Sequence, residues 1–240
     1  MGAEVQELFN GDGFVVVPHL FSVAEVKSFK AEIERILDEV RAEMSAAGKD
    51  PAHALRTGVY VGLAARSEFF RQALRDARLL DVLQGIMGPH IEFLSDKVVY
   101  KNAATSFASP WHQDWPYWRG CHKISIWVAL DDATPANGCL RLIPGSHQAA
   151  LLHDGDTSDK MGFDNRLRPE LVDESTAVTA AVEAGGAVFF HDLTIHGSHR
   201  STTAQDRWVW LPTYRDAREG AHDPPYPWAV AAEVLRTPAN

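Results

Sequence analysis

Hydrophobic positions along this chain change their period once. Val26, Phe29, Ile33, Ile36, Leu37 and Val40 recur every three or four residues, a spacing that lines one face of a long helix. Ser22 precedes them, three residues ahead of Glu25, as in a capping box. The stretch Ala46-Ala47-Gly48-Lys49-Asp50-Pro51 ends that helix. A second helical pattern runs from about Ser67 through Leu74 and Leu79 to Ile86 and stops at Gly88-Pro89. Ahead of both lies a short apolar run of β type, Gly13-Phe14-Val15-Val16-Val17-Pro18.

From Ile91 onward the pattern shortens into strands divided by turn residues. The predicted strands are Ile91–Lys101, His122–Leu130, Cys139–Ile143, Ala177–Val182, Ala187–His191 and Trp208–Tyr214. Asp131 to Gly138, Pro144-Gly145-Ser146 and Gly185-Gly186 fall between them, all good turn material. Helices first and many short strands later predict a mainly β fold with α, a sandwich or jelly roll buttressed by N-terminal helices. The helical part covers about 20–90 and the β core about 91–215. No repeat, low-complexity tract or linker divides the chain, so a single domain over 1–240 is expected.

Composition narrows the function. A hydrophobic fraction of 45% and a charged fraction of 23% are ordinary for a soluble globular protein. The net charge of −9 argues against a nucleic-acid partner, because phosphate binding needs a basic patch. Only Cys121 and Cys139 are cysteines, too few for a disulfide framework. The first residues, MGAEVQELFNGDGF, lack the basic and apolar regions of a signal peptide. No window approaches the roughly 18 apolar residues of a membrane span. The expectation is a cytoplasmic protein with a small-molecule partner and neither nucleic acid nor membrane. The loop from Ala149 to Asp173 carries Asp154, Asp156, Asp159, Asp164 and Asp173. Its length suits a lid or an ordinary surface loop equally, and its acidity hints at an amine-bearing or cationic ligand.

The candidate chemistry centres on Trp111-His112-Gln113-Asp114-Trp115. With 11 His in 240 residues, chance alone supplies about one His-x-Asp pair, so the surroundings must carry the argument. Trp111, Trp115, Tyr117 and Trp118 flank the pair, an aromatic wall suited to a partly buried pocket. On an extended segment, residues two apart point the same way, so His112 and Asp114 can face one ion. A distal imidazole completes the set, with His196 preferred over His191 and His199. His196 ends the run Phe189 to Ile195, which reads as a buried strand, and is followed by Gly197-Ser198 and then by Arg207 eleven residues on. Two imidazoles and one carboxylate form the facial triad of non-haem Fe(II) oxygenases. Arg207, Val209 and Leu211 share one face of a strand, which aims a permanently charged fork inward, and a buried guanidinium needs an anion.

Four ordered motifs then become recognisable. His112-x-Asp114, Asn137-Gly138-Cys139-Leu140-Arg141-Leu142-Ile143-Pro144-Gly145-Ser146-His147, His196-Gly197-Ser198 with Arg207, and the opening Gly11-Asp12-Gly13-Phe14-Val15-Val16-Val17-Pro18 resemble the phytanoyl-CoA dioxygenase family over nearly the whole chain. The resemblance implies a cupin-like double-stranded β-helix that uses Fe(II), 2-oxoglutarate and O2. It implies His112, Asp114 and His196 as catalytic iron ligands, and Arg207 with Ser198 around the distal carboxylate of 2-oxoglutarate. Trp127 and Lys101 fall near positions that line the co-substrate pocket in relatives. Phe107, Trp115, Tyr117 and Trp118 are candidates for the substrate wall, with core packing as the alternative for each. Many family members carry Asn five residues after the distal His, where this chain has Ser201.

The implied activity is oxidation of a small molecule, hydroxylation of an unactivated C–H bond above all, with release of succinate and CO2. The substrate is natural-product, amino-acid-like or lipid-like in character. Related halogenases replace the acidic ligand with a small residue, so Asp114 favours oxygenation over halogenation. A cupin-like isomerase or hydrolase using the same metal, and a non-catalytic binding protein on the same fold, are the other readings.

Overall fold

The computed structural model describes residues 2–51, 58–102, 106–118, 121–153, 165–220 and 229–237. Its first half contains α1 (Gly2–Asp12), β1 (Phe14–Val17), α2 (Val23–Ala46), β2 (Val59–Val61), α3 (Leu63–Arg66), α4 (Glu68–Ala73), α5 (Ala77–Met87) and β3 (Ile91–Lys101). There follow β4 (Ser109–His112), β5 (Lys123–Ala129), β6 (Leu140–Leu142), β7 (Val178–Ala180), β8 (Ala187–His191), β9 (His196–Ser198), β10 (Arg207–Asp216) and β11 (Glu233–Arg236). The strands form two antiparallel sheets. The larger runs β1-β8-β5-β10-β3-β11, with β2 also on β3, and the smaller runs β4-β9-β6-β7.

One apolar layer fills the space between the sheets. Trp127, Ala129, Val188, Phe190, Val209 and Leu211 from the large sheet meet Leu140, Leu142 and Ala180 from the small one. This is the jelly-roll sandwich that the short strands predicted. A second and larger core packs the helices on the outer face of the large sheet. The predicted stripe of α2, from Val26 to Val40, is buried there with Phe70, Leu79 and Leu83 against Phe93, Val98, Ile126, Phe189, Trp210 and Tyr214. Strand alternation explains both cores: Val209 and Leu211 turn inward, while Trp210 between them stacks on Phe29 at 5.0 Å between ring centroids. Asp96 joins the layers, accepting from Ala64 N and from Trp210 Nε1, both at 3.0 Å.

Local signals explain the helix ends. Ser22 Oγ accepts from Glu25 N, and the Glu25 carboxylate accepts from Ser22 N at 2.7 Å, which completes the capping box. The second helical pattern is broken into α4 and α5, because Asp76 turns back to accept from Arg78 N at 2.9 Å and caps α5. The β structure also reaches beyond the expected 91–215. β1 is the β-type run read at Gly13–Pro18, ahead of the helical part; β2 lies within the region read as the helical buttress, and β11 lies past the end of the expected β core. β2 and β11 are three and four residues long, too short for a period-two signal, and their place is set by pairing on β3 of the large sheet. No helix among the described residues is long and apolar enough to cross a membrane. Cys121 and Cys139 are both buried, and neither is in a disulfide.

Gly185 ties the turn before β8 to the chain leading into α2. Its carbonyl accepts from Phe21 N at 2.8 Å, its φ is +90°, and a Cβ would fall inside the Phe21 carbonyl oxygen. Gly48 has φ +68° with open space around it. Urea unfolding should therefore separate the two alanine variants. Gly48→Ala is expected to lose only the about 1–2 kcal/mol of a left-handed backbone, and Gly185→Ala clearly more. Equal losses would mean that the Phe21 contact yields without cost.

Candidate metal centre and co-substrate pocket

The pairing of β4 with β9 sets His112 opposite His196. Their rings lie 4.2 Å apart between centroids, and both Nε2 atoms approach Asp114 Oδ1, at 3.8 Å from His112 and 3.9 Å from His196. All three ligand atoms fall within 4.8 Å of one another, a spacing that one divalent ion can bridge. Each imidazole has its other nitrogen engaged: His112 Nδ1 donates to Pro110 O at 2.8 Å and His196 Nδ1 to Thr194 O at 2.9 Å. These backbone carbonyls fix the tautomer that leaves Nε2 free for a metal.

Asp114 reaches the trio by a route other than strand alternation. β4 ends at His112, and Asp114 is already helical (φ −76°, ψ −18°) at the head of a 3-10 turn, Trp115–Tyr117. What holds it is the turn after β8, where the Asp192 carbonyl accepts from both Asp114 N (2.8 Å) and Trp115 N (3.1 Å). Ser125 Oγ donates to Asp114 Oδ2 at 3.2 Å. The run Phe189 to Ile195 is not one buried strand: β8 ends at His191, where the predicted strand Ala187–His191 ends, the chain turns, and β9 begins in the other sheet. That turn places His196 beside His112 while leaving His191 outside the trio, near His122 and Asp192. His199 also lies outside it.

Burial and charge prepare the ligands. Desolvation pushes the His112 imidazole down to about 3, with the His196 charge acting the same way. Desolvation also lowers His196. Burial alone would raise Asp114, but His196, Lys123, Lys97 and His112 together hold it well below the usual carboxylate range. The trio is thus two neutral imidazoles and one carboxylate, the protonation state a divalent metal requires.

These residues line a cavity of about 330 Å³ shared with Arg207, Ser198 and Trp127. Arg207 is only 1% exposed, lies over the Trp127 ring at 5.2 Å, and keeps Nε and Nη1 without any hydrogen-bond partner. Burial pushes it down to about 10. Lys101 stands across the sheet from it, donating to Ser198 Oγ at 2.7 Å and to the His199 carbonyl. Burial, with the Arg207 charge, brings Lys101 down to about 7. Ser198 Oγ in turn donates to Ser109 Oγ at 2.9 Å. Two adjacent buried cations lacking a counter-charge make an anion-binding end.

Of the expected substrate wall, Phe107, Tyr117 and Trp118 line the cavity. Trp115 does not; its ring packs tilted against the half-exposed His122, 4.9 Å between centroids, because the 3-10 turn swings it outward. Ser201 is buried, with Oγ 3.5 Å from the Thr203 carbonyl in its own turn. Much of the Ala149–Asp173 loop, and with it the question of a lid, lies outside the described residues. Gln113, Ser125, Lys123 and Asp192 were not singled out by the sequence. Gln113 is fully buried and donates to the Ala149 and Leu193 carbonyls, both at 2.7 Å, while accepting from Leu151 N. Lys123 reaches the Asp114 carbonyl at 3.4 Å and Asp192 Oδ2 at 3.8 Å. Ser125 alone had a usable signal, two residues from Trp127 on the same strand face.

Known proteins resemble this chain in sequence and in fold. L-proline trans-4-hydroxylase from Streptomyces griseoviridis is 29% identical over 94% of this chain and 91% of its own. Ectoine dioxygenase from Stutzerimonas stutzeri is 29% identical over 86% and 74%. Among solved structures, a non-heme monooxygenase superposes with a TM-score of 0.76 at 24% identity, over 98% of this chain and 84% of that one. EctD from S. alaskensis, solved with 2-oxoglutarate and 5-hydroxyectoine, gives 0.71 at 21% identity over 96% and 83%. The phytanoyl-CoA dioxygenase family model matches residues 9–209. With this match spanning most of the chain, and the jelly roll and its buried trio in place, the chain belongs to the phytanoyl-CoA dioxygenase family.

Proposed function

We propose that this 2-oxoglutarate-dependent dioxygenase hydroxylates a small molecule, with His112, Asp114 and His196 as Fe(II) ligands and Arg207 as the anchor of the co-substrate. The single observation that carries the reading is Arg207, fully buried in the trio's own cavity with two nitrogens lacking partners. A dicarboxylate held by one end at Arg207 supplies the missing anion and directs its other end toward the trio. The donor set fits Fe(II), since two imidazoles and one carboxylate leave open positions.

Bound there, Fe(II) with 2-oxoglutarate and O2 supplies the oxidising power for C–H hydroxylation, with succinate and CO2 as co-products. The chain's residues prepare for it. Pro110 and Thr194 carbonyls orient the two imidazoles. Ser125 and the Asp192 carbonyl hold Asp114 in place. Lys101 and Ser198 brace the Arg207 end. Phe107, Tyr117, Trp118 and Trp127 line the cavity with aromatic surface that keeps water from the reacting carbon. Hydroxylase names among the relatives, L-proline trans-4-hydroxylase included, favour hydroxylation over other outcomes, and the intact Asp114 speaks against halogenation.

Two outcomes are expected. Replacing Arg207 with Ala should weaken 2-oxoglutarate binding about a hundredfold, the scale of a lost charge-assisted pair, and leave metal affinity within about threefold, both read by calorimetry with oxygen-stable Ni(II). Equal loss of both would make Arg207 structural. The second outcome concerns pH. Protons compete with the metal only where a ligand's pKa exceeds the pH, and the His112 and His196 imidazoles are held below their ordinary value. Ni(II) affinity should therefore change less than about threefold between pH 7.5 and 5.5, where two ordinary imidazoles of pKa about 6.5 would lose about a hundredfold. A hundredfold loss would contradict the desolvated trio.

A further inference from the structure

Beyond the trio and the Arg207 end, two more ionisable residues line the cavity, Asp96 and Lys97. The field of Lys97 reaches His112, Asp114 and His196. Yet Lys97 makes no hydrogen bond and no ion pair with any described group. The carboxylate next to it in sequence, Asp96, is already engaged, accepting from Ala64 N and Trp210 Nε1.

The register of β3 against β10 orders the inward side chains in layers. Starting from the anion-binding end, Lys101 stands opposite Arg207, Val99 opposite Val209, Lys97 opposite Leu211, and Ser95 opposite Thr213. On the next strand, Ala129 pairs with Val209 and Ser125 with Thr213. An apolar layer of Val99, Val209 and Ala129 thus separates Lys97 from the Arg207 pair, and a hydroxyl layer follows Lys97. In that layer Ser95 is buried and its Oγ has no partner. Four residues of strand set Lys97 about 13 Å along β3 from Lys101, whereas the five-carbon chain of 2-oxoglutarate spans at most about 6 Å between its carboxylate carbons. The strand between the two cations is longer than the co-substrate, so the cavity beside Lys97 has room for a second ligand.

We propose that Lys97, with the Ser95 hydroxyl in the next layer, anchors the primary substrate, and that this substrate is an apolar or aromatic small molecule bearing a carboxylate. The inference rests on the 2-oxoglutarate reading above. One ammonium and one hydroxyl match the single charge of a carboxylate; a phosphate gathers more donors than this layer offers. Val61 pairs with Lys97 across β2 and β3, and Tyr117 and Trp118 give the same cavity an aromatic wall. The acidity of the 149–173 loop suggested an amine-bearing ligand, but residues 154–164 of that loop lie outside the described structure, and the free charge inside the cavity is a cation.

The test uses the full chain loaded with Fe(II) and 2-oxoglutarate under anaerobic conditions, titrated calorimetrically with 3-phenylpropanoate and with its neutral amide. Wild type should bind the acid at least about tenfold more tightly than the amide, the scale of one charge-assisted hydrogen bond. Lys97→Met should erase that preference and Lys97→Arg should restore most of it, with 2-oxoglutarate affinity unchanged within about twofold in both. The inference is overturned if wild type binds the acid no better than the amide, or if Lys97→Met keeps the preference. It is also overturned if Lys97→Met weakens 2-oxoglutarate itself by about tenfold or more, which would assign Lys97 to the co-substrate carboxylate next to the metal. Failure of wild type to bind 2-oxoglutarate at all is a separate result and refutes the underlying reading instead.

Discussion

A guanidinium buried without an anion destabilises a folded protein unless something else compensates, and Arg207 imposes that constraint on the whole molecule. The sandwich places Arg207 at one end of the inter-sheet space, over Trp127 and opposite Lys101. Side chains that would fill that space in a closed core are held back, and the cavity runs from the cations to the trio. The protein tolerates this because the helices bury a large second core on the other face of the same sheet, where α2, α4 and α5 pack on Trp210, Phe93 and Tyr214. Stability is concentrated on one side of the large sheet and chemistry on the other.

The trio depends on pairing between elements distant in the chain. His112 and His196 meet because β4 pairs with β9, and Asp114 joins them because the Asp192 carbonyl takes the two amides that begin the 3-10 turn. Backbone groups set both contacts, so the positions are robust to side-chain variation around them. The buried Lys123 and Gln113 then tie that turn to the neighbouring strands and loops. Rigid placement of this kind lets a site bind metal without reorganising its ligands.

Much of this was legible in the sequence, for identifiable reasons. The α2 stripe and its capping box are local, so their period and spacing suffice. Arg207, Val209 and Leu211 read correctly as one inward face, because alternation on a long strand is also local. Asp114 and His196 come together with His112 as expected, but partly by another route: alternation on an extended segment was expected to aim Asp114, whereas a helical turn clamped from residue 192 does so. The strand Ala187–His191 was bounded correctly, but the run on to Ile195 also read as a buried strand, because Leu193 and Ile195 keep it apolar past Asp192. Trp115 looked like a pocket residue by composition, yet the same turn sends it outward onto His122. Contacts made across eighty or more residues, such as Gln113 with Leu193, leave no trace in a local pattern.

The layered interior also gives the cavity a direction. Cations close one end, an apolar layer follows, and Lys97 with a row of hydroxyls comes next, with Asp114 hydrogen-bonded to Ser125 in that row. The central claim is that His112, Asp114, His196 and Arg207 together bind one metal ion and one 2-oxoglutarate in chelating contact. Its most direct test is the visible absorption spectrum of the Fe(II) protein mixed with 2-oxoglutarate in the absence of oxygen. A metal-to-ligand charge-transfer band, lost when Arg207 is replaced, is the result expected here. Folded, metal-replete protein that shows no such band at saturating 2-oxoglutarate would contradict the account.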